Sequence, residues 1–208
     1  MAFKSYVELK ASLLDWLIRP DLSALVGSFI DLFEGQANRA LRTRWQETVM
    51  PAFVLTGGTI TVPADHLGTR TMTLTTGQSL HFVTPQQFDD FPLAAGGLPR
   101  VYTLIGNQYI VGPAPTGASI ARLVYWRRIP PLSTNSTNWL LANYPDTYLY
   151  GSLMHAAPYL NNDERLPTWI DMARRAMESV VADDIAAKYP GPLTIRNDVC
   201  PTDGGSMN

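Results

Sequence analysis

The chain has 208 residues and one cysteine, Cys200. No internal disulfide can form, and no cysteine-based zinc site. Lysine is almost as scarce, at Lys4, Lys10 and Lys188 only, so arginine carries most of the positive charge. Charged residues make up 16% of the chain, against about a quarter in an ordinary soluble domain. The formal net charge is −2. Proteins that grip nucleic acid are basic, because phosphate neutralisation supplies most of the affinity. This balance argues against gripping DNA or RNA, though not against enclosing it. No apolar run approaches the roughly 18 residues of a membrane span. Met1 to Glu8 is polar and lacks the apolar core of a signal peptide. The expectation is a soluble protein, made in a cytosol, with no membrane partner.

What is present is apolar and aromatic. Hydrophobic residues are 46% of the chain, and there are 5 Trp and 9 Tyr. A chain so rich in aromatics and poor in charge holds more apolar surface than one copy buries, which points to an oligomer.

The periodicity runs helix, strand, helix. Ser5 with Glu8 is a capping box opening a helix with Leu9, Leu13, Trp16 and Leu17 on one stripe, stopped by Arg19-Pro20-Asp21. A second helix spans about Leu22 to Trp45, with Leu22, Val26, Phe29, Ile30, Phe33, Ala37 and Leu41 as its stripe. Arg39, Arg42 and Arg44 crowd its C-terminal end, where cations are favourable. From Met50 the period changes to two. Ala52–Leu55 and Thr59–Val62 around Gly57-Gly58 read as a hairpin. Thr69–Leu74 turns through Gly77-Gln78 into Leu80–Val83. Thr84 caps a short helix, and Val101–Ile105 turns through Gly106-Asn107 into Gln108–Val111. Ile120–Trp126 is the last strand. Helices return after Ile129-Pro130-Pro131, at 138–144, at 146–160 with small residues on its stripe, and at Leu166–Lys188 with Ile170, Ala173, Met177, Val180, Val181 and Ile185 as its apolar face.

The fold class expected is therefore α+β. The N- and C-terminal helices form one helical bundle, and an antiparallel β domain is inserted between them. The boundaries are 1–48 and 132–189 for the helices, 49–131 for the β domain and 190–208 for an extended C-terminal arm.

Chemistry is thin. His66, His81 and His155 fall in no catalytic or metal motif, and no HExxH, GxSxG, Walker loop or GxGxxG occurs. Asp89-Asp90, Asp163-Glu164 and Asp183-Asp184 are acid pairs, but Asp163 and Glu164 precede a helix, where acids are favourable, and Asp183 and Asp184 are neighbours on a helix, pointing about 100° apart without converging. Tyr102, Tyr109, Tyr125 and Trp126 could form a sugar-binding face, although aromatics in strands are far more often core or interface. No catalytic residue, cofactor or metal is expected.

Several strings carry a resemblance. They are Ser5–Lys10 with Trp16-Leu17 and Arg19–Asp21; Phe29-Ile30 to Glu34 with Asn38–Arg42; Val62–Asp65; and Pro99–Tyr102 with Pro113. The most specific stretch is Tyr125–Ser133, Thr137–Leu141, Tyr144–Asp146, Tyr148–Gly151 and Ala156–Leu160. Together, over about residues 5 to 188, the chain resembles the head-to-tail adaptor (connector, or head-completion) proteins of tailed bacteriophages. The resemblance implies a structural, non-enzymatic part of the virion. Its copies would form a ring, usually of twelve, below the portal protein at one capsid vertex. That ring would extend the channel for genomic DNA without sequence-specific binding, and dock a tail or nozzle protein. A tail-completion or tail-tube ring protein is the alternative, and a wall-degrading hydrolase a weaker one. Tube subunits are mainly β, so the helices favour the adaptor.

Two sets of docking residues are expected. The glycine-bearing tips Gly57, Gly58, Gly77, Gly106 and Asn107 can reach neighbours without steric penalty. In the arm, Leu193, Ile195 and Val199 are the apolar anchors, while Pro190, Pro192 and Pro201 bar a helix and favour an extended path to a neighbouring subunit or the portal.

Overall fold

The computed structural model describes residues 3–55, 57–90, 96–115, 117, 119–160 and 163–188. Helix α1, Tyr6–Leu17, is capped by Ser5, whose hydroxyl accepts the Glu8 N–H at 3.3 Å, but the reciprocal half of the expected capping box is displaced by one residue: the Glu8 carboxylate accepts the Lys4 N–H, at 2.7 Å, in place of that of Ser5. It ends at Ile18, whose φ of 55° turns the chain out of the helix. Helix α2, Val26–Ala40, is shorter than the sequence suggests, because a 3-10 turn at Pro20–Leu22 precedes it and another at Arg44–Gln46 follows. All seven residues of its expected stripe are buried.

Strands β1 (Glu47–Leu55), β2 (Thr59–Thr61), β3 (His66–Leu74) and β4 (Ser79–Phe82) come next. Helix α3 (Pro85–Asp90) follows, then β5 (Val101–Ile105), β6 (Gln108–Gly112) and β7 (Ser119–Arg127). Helices α4 (Trp139–Asn143), α5 (Pro145–Met154) and α6 (Leu166–Lys188) complete the described chain. The seven strands form one sheet in the order β1-β7-β3-β4-β5-β6-β2.

This arrangement overturns the expected bundle around an inserted antiparallel β domain. The described residues are mixed, 45% helix and 25% strand, with a nearly closed, barrel-like sheet and helices scattered along the sequence. The sheet is not antiparallel throughout: β4 and β5 run parallel, with His81 beside Val101 and Phe82 beside Tyr102. A parallel pair needs a long crossover rather than a tight turn. Residues 83–100, which include α3, supply it, with the Thr84 N–H donating to Gln87 Oε1 at 3.1 Å and the Gln87 N–H donating to Thr84 Oγ1 at 3.2 Å.

The glycine pair Gly57-Gly58 does not close a hairpin either. β1 pairs with β7 and β2 with β6, so these glycines carry the chain from one edge of the sheet to the other. Both have positive φ, 72° and 77°, and a Cβ on Gly58 would sit 3.3 Å from the Val111 carbonyl oxygen. The expected β3–β4 and β5–β6 hairpins do form.

Two clusters of buried side chains organise the molecule. One gathers residues of α1, α2, α4, α5 and α6 with Ile129 and Leu132; the other fills the inside of the sheet, around Leu55, Met72, Tyr109 and Leu123. Helices α1, α2 and α6 all pack on α5. In α6 the buried line is Trp169, Ala173, Ala176, Val180 and Asp184. Of the expected face Ala173 and Val180 are on that line, while its other side is turned away, leaving Ile170 at 49% and Ile185 at 53% exposure. The reason is steric: the small Ala173 and Ala176 let the backbone approach α5, and the larger side chains fall to one side. Phe29→Ala is accordingly expected to cost about 3–5 kcal/mol in chemical denaturation, and Ile170→Ala under about 0.5 kcal/mol. Equal losses at the two sites would contradict this packing.

Candidate functional site

The sheet joins the helices through a set of polar side chains. Asn38 and Glu34 lie one turn apart on α2. The Asn38 side-chain oxygen accepts the Ile129 N–H at 2.8 Å, and Glu34 Oε1 accepts the Leu132 N–H at 2.9 Å. The Tyr148 hydroxyl donates to the same Glu34 oxygen at 3.0 Å. Asn138 caps α4 by accepting the Leu141 N–H at 2.9 Å, and its amide donates to the Pro130 carbonyl at 2.8 Å and to Tyr148 Oη at 2.6 Å. On the entering side, Asp184 of α6 accepts the Arg44 N–H at 2.8 Å and pairs with Lys188 at 2.6 Å. Burial pushes the Glu34 carboxyl above the usual carboxylate range and the Tyr148 phenol well above its own. These groups fix the chain where it enters and leaves the strands. Their role is positional.

Inside the sheet, His66 Nε2 lies 2.8 Å from the Tyr109 hydroxyl and 3.1 Å from Thr69 Oγ1, while the Tyr125 hydroxyl donates to Asp65 at 2.9 Å. Burial first, then the Asp65 carboxylate, pushes the Tyr125 phenol up to about 12. Burial pulls His66 down, against the opposing pull of Asp65. Tyr102, Tyr109 and Tyr125 are all buried here, so they are core and offer no sugar-binding face.

The acid pairs do not converge. Asp163 is held down to about 2 by its contact with Arg165, Asp184 is buried at the junction, and Asp183 is exposed. A cleft of about 540 Å³ between α1 and α5 carries Asp15 and Asp146, both exposed. A general acid needs an apolar enclosure that neither has. Among the described residues no cluster of His, Cys, Asp and Glu could hold a metal. His155 reaches only Gln36, at 3.1 Å, and His81 pairs with β5. Arg42 caps α2, donating to the Asn38 and Leu41 carbonyls at 2.8 and 2.6 Å, which is the helix-end role its position suggests.

The surface is more informative than the interior. Gly77 lies at the β3–β4 turn and Gly106-Asn107 at the β5–β6 turn, all three exposed. Gly57 is exposed and Gly58 buried. The Asn107 carbonyl accepts the Val62 N–H at 3.1 Å, so this tip is tied to the end of β2. Leu193, Ile195, Val199 and Cys200 lie outside the described residues. Two apolar surfaces went unread in the sequence. Val49, Val54 and Ile120 stand exposed on the outer face of β1 and β7, with Val54 opposite Ile120. An apolar groove of about 350 Å³ runs between the end of α2 and α6, lined by Leu41, Met177, Val181 and Ile185. The excess of apolar residues over charge was the signal for the first, and the breadth of the apolar face read on α6 the signal for the second.

A family model described as SU10 adaptor protein matches residues 4–196. The chain belongs to that family. No curated protein matches it. Membership makes this chain a phage adaptor, a structural protein of the virion that associates with other virion proteins. The adaptor's exposed apolar groove and sheet face are surfaces of the kind such association uses. No helix among its described residues is long and apolar enough to cross a membrane.

Proposed function

We propose that this adaptor forms a twelve-membered ring below the portal protein, extends the channel through which genomic DNA passes, and docks the tail or nozzle protein. The observation that carries the reading is membership of an adaptor family across residues 4–196. The formal charge of −2 supports it, since a wall that DNA must slide past should not hold phosphate. The exposed outer face of β1 and β7 supports lateral contacts between copies, a role in which residues 49–131 and the exposed positions Gly57, Gly77, Gly106 and Asn107 take part, Gly58 being buried. Leu193, Ile195 and Val199 anchor the arm on a neighbouring subunit or on the portal.

Mass measurement of the purified protein, alone and with its portal protein, tests the ring. The expected result is a discrete complex carrying twelve copies on the portal; persistent monomers with the portal present would overturn it. Truncation after Tyr189 is expected to leave a folded, soluble protein that neither joins the portal nor closes a ring. Normal assembly by the truncated chain would remove the arm from the account.

A further inference from the structure

The groove beside α6 has a natural occupant in the chain itself. Helix α6 ends at Lys188, one turn beyond Ile185, and Tyr189-Pro190-Gly191-Pro192 follows, a run that cannot continue the helix and suits a reversal of direction. From the structure we infer that, in the unassembled protein, residues 193–199 lie antiparallel along their own α6, with Leu193 and Ile195 in the groove and Val199 beyond its far end, on the exposed face of α6 towards Ile170.

The spacings agree along the whole path. Six extended residues from Leu193 to Val199 span about 20 Å, and the fifteen helical residues from Ile170 to Ile185 span about 22 Å. One extended residue therefore covers about two helical ones. With Leu193 at Ile185, Ile195 falls at Val181, and Val199 within a turn of Ile170. All three anchors share one parity, so an extended strand turns them to one side. Arg196 and Asp198 have the other parity and lie towards the rim. Arg196 falls near Glu178, and Asp198 near Arg174. Each thus meets an opposite charge; run the other way over the same stretch, Arg196 would still fall near Glu178, but Asp198 would fall near Asp183, a like charge. Glu178 and Arg174 are exposed partners of each other at 3.0 Å, a pairing that exchanges at little cost. Leu41 and Met177 close the sides. The arm thereby covers α6 until assembly draws it away. This seat is a property of the isolated chain and stands or falls apart from the ring.

The single cysteine supplies the test. A nitroxide on Cys200 of the full-length protein should strip most of the methyl NMR intensity from Ile170, while Ile105 and Ile120 in the sheet keep theirs. Leu193→Ser with Ile195→Ser, changes confined to the tail, should restore the Ile170 signal. Glu178→Arg should weaken the effect, and adding Arg196→Glu should return it. An undiminished Ile170 signal would overturn the inference. So would broadening seen only when nitroxide-bearing copies without isotope label are mixed with labelled copies, because the arm would then occupy another molecule.

Discussion

Gly151→Ala is expected to destabilise the protein by about 2–3 kcal/mol, lowering the melting temperature by about 5–10 °C. The direction is opposite to the usual one. Replacing a helical glycine by alanine ordinarily gains about 1 kcal/mol, because glycine has more backbone freedom to lose. At this position of α5 the added methyl would fall within the ring of Phe33 on α2, 2.9 Å from its Cγ and nearer still to Cδ2 and Cε2. Phe33 cannot step aside: it is 1% exposed and meets the edge of Tyr148 at a centroid distance of 5.2 Å. Either the ring leaves its rotamer or α5 moves off α2. Phe33→Leu should cost stability alone yet recover part of the loss in the Gly151→Ala background, a coupling that a double-mutant cycle measures. Additive losses would show that the two side chains do not compete for one space.

The stripe on α2 and the caps at Ser5 and Thr84 were legible because their signals are local: a period of 3.6, or a hydroxyl three residues before its partner. The β3–β4 and β5–β6 hairpins were legible for the same reason. The failures are non-local. Gly57-Gly58 between two alternating runs carries a strong hairpin signal, yet the flanking strands found partners at β7 and β6. Nothing near Thr84 announces that the short helix there serves a parallel crossover. On α6 every apolar residue counted equally in the sequence, whereas close packing selects the alanines and leaves Ile170, Val181 and Ile185 exposed. The polar junction was missed because acids were sought in adjacent pairs. Glu34 stands alone among apolar neighbours, four residues after Ile30, and its partners lie about a hundred residues away.

Glu34→Ala is expected to cost about 2–4 kcal/mol, because it removes an acceptor and leaves two donors behind. The Leu132 N–H would lose its partner in a buried setting. Tyr148 would keep the hydrogen bond it accepts from Asn138 and lose the one it donates. Glu34→Gln separates the acceptor from the charge. Its amide oxygen can still take both donors, so most of the stability should return near pH 4. The pH dependence should not return. Burial raises the folded-state pKa of Glu34 above its ordinary value of 4.5, so between those two values the folded protein holds more protons than the unfolded one. Stability from this group is complete below pH 4.5 and is lost as the pH rises through the folded pKa. Denaturation between pH 4 and 8 should therefore show a falling component in the native chain that Glu34→Gln lacks, with the variant the more stable of the two at pH 8. A native chain that gains stability relative to Glu34→Gln as the pH rises would mean that Glu34 is held as a favoured carboxylate, and that hydrogen bonds outweigh burial at this junction.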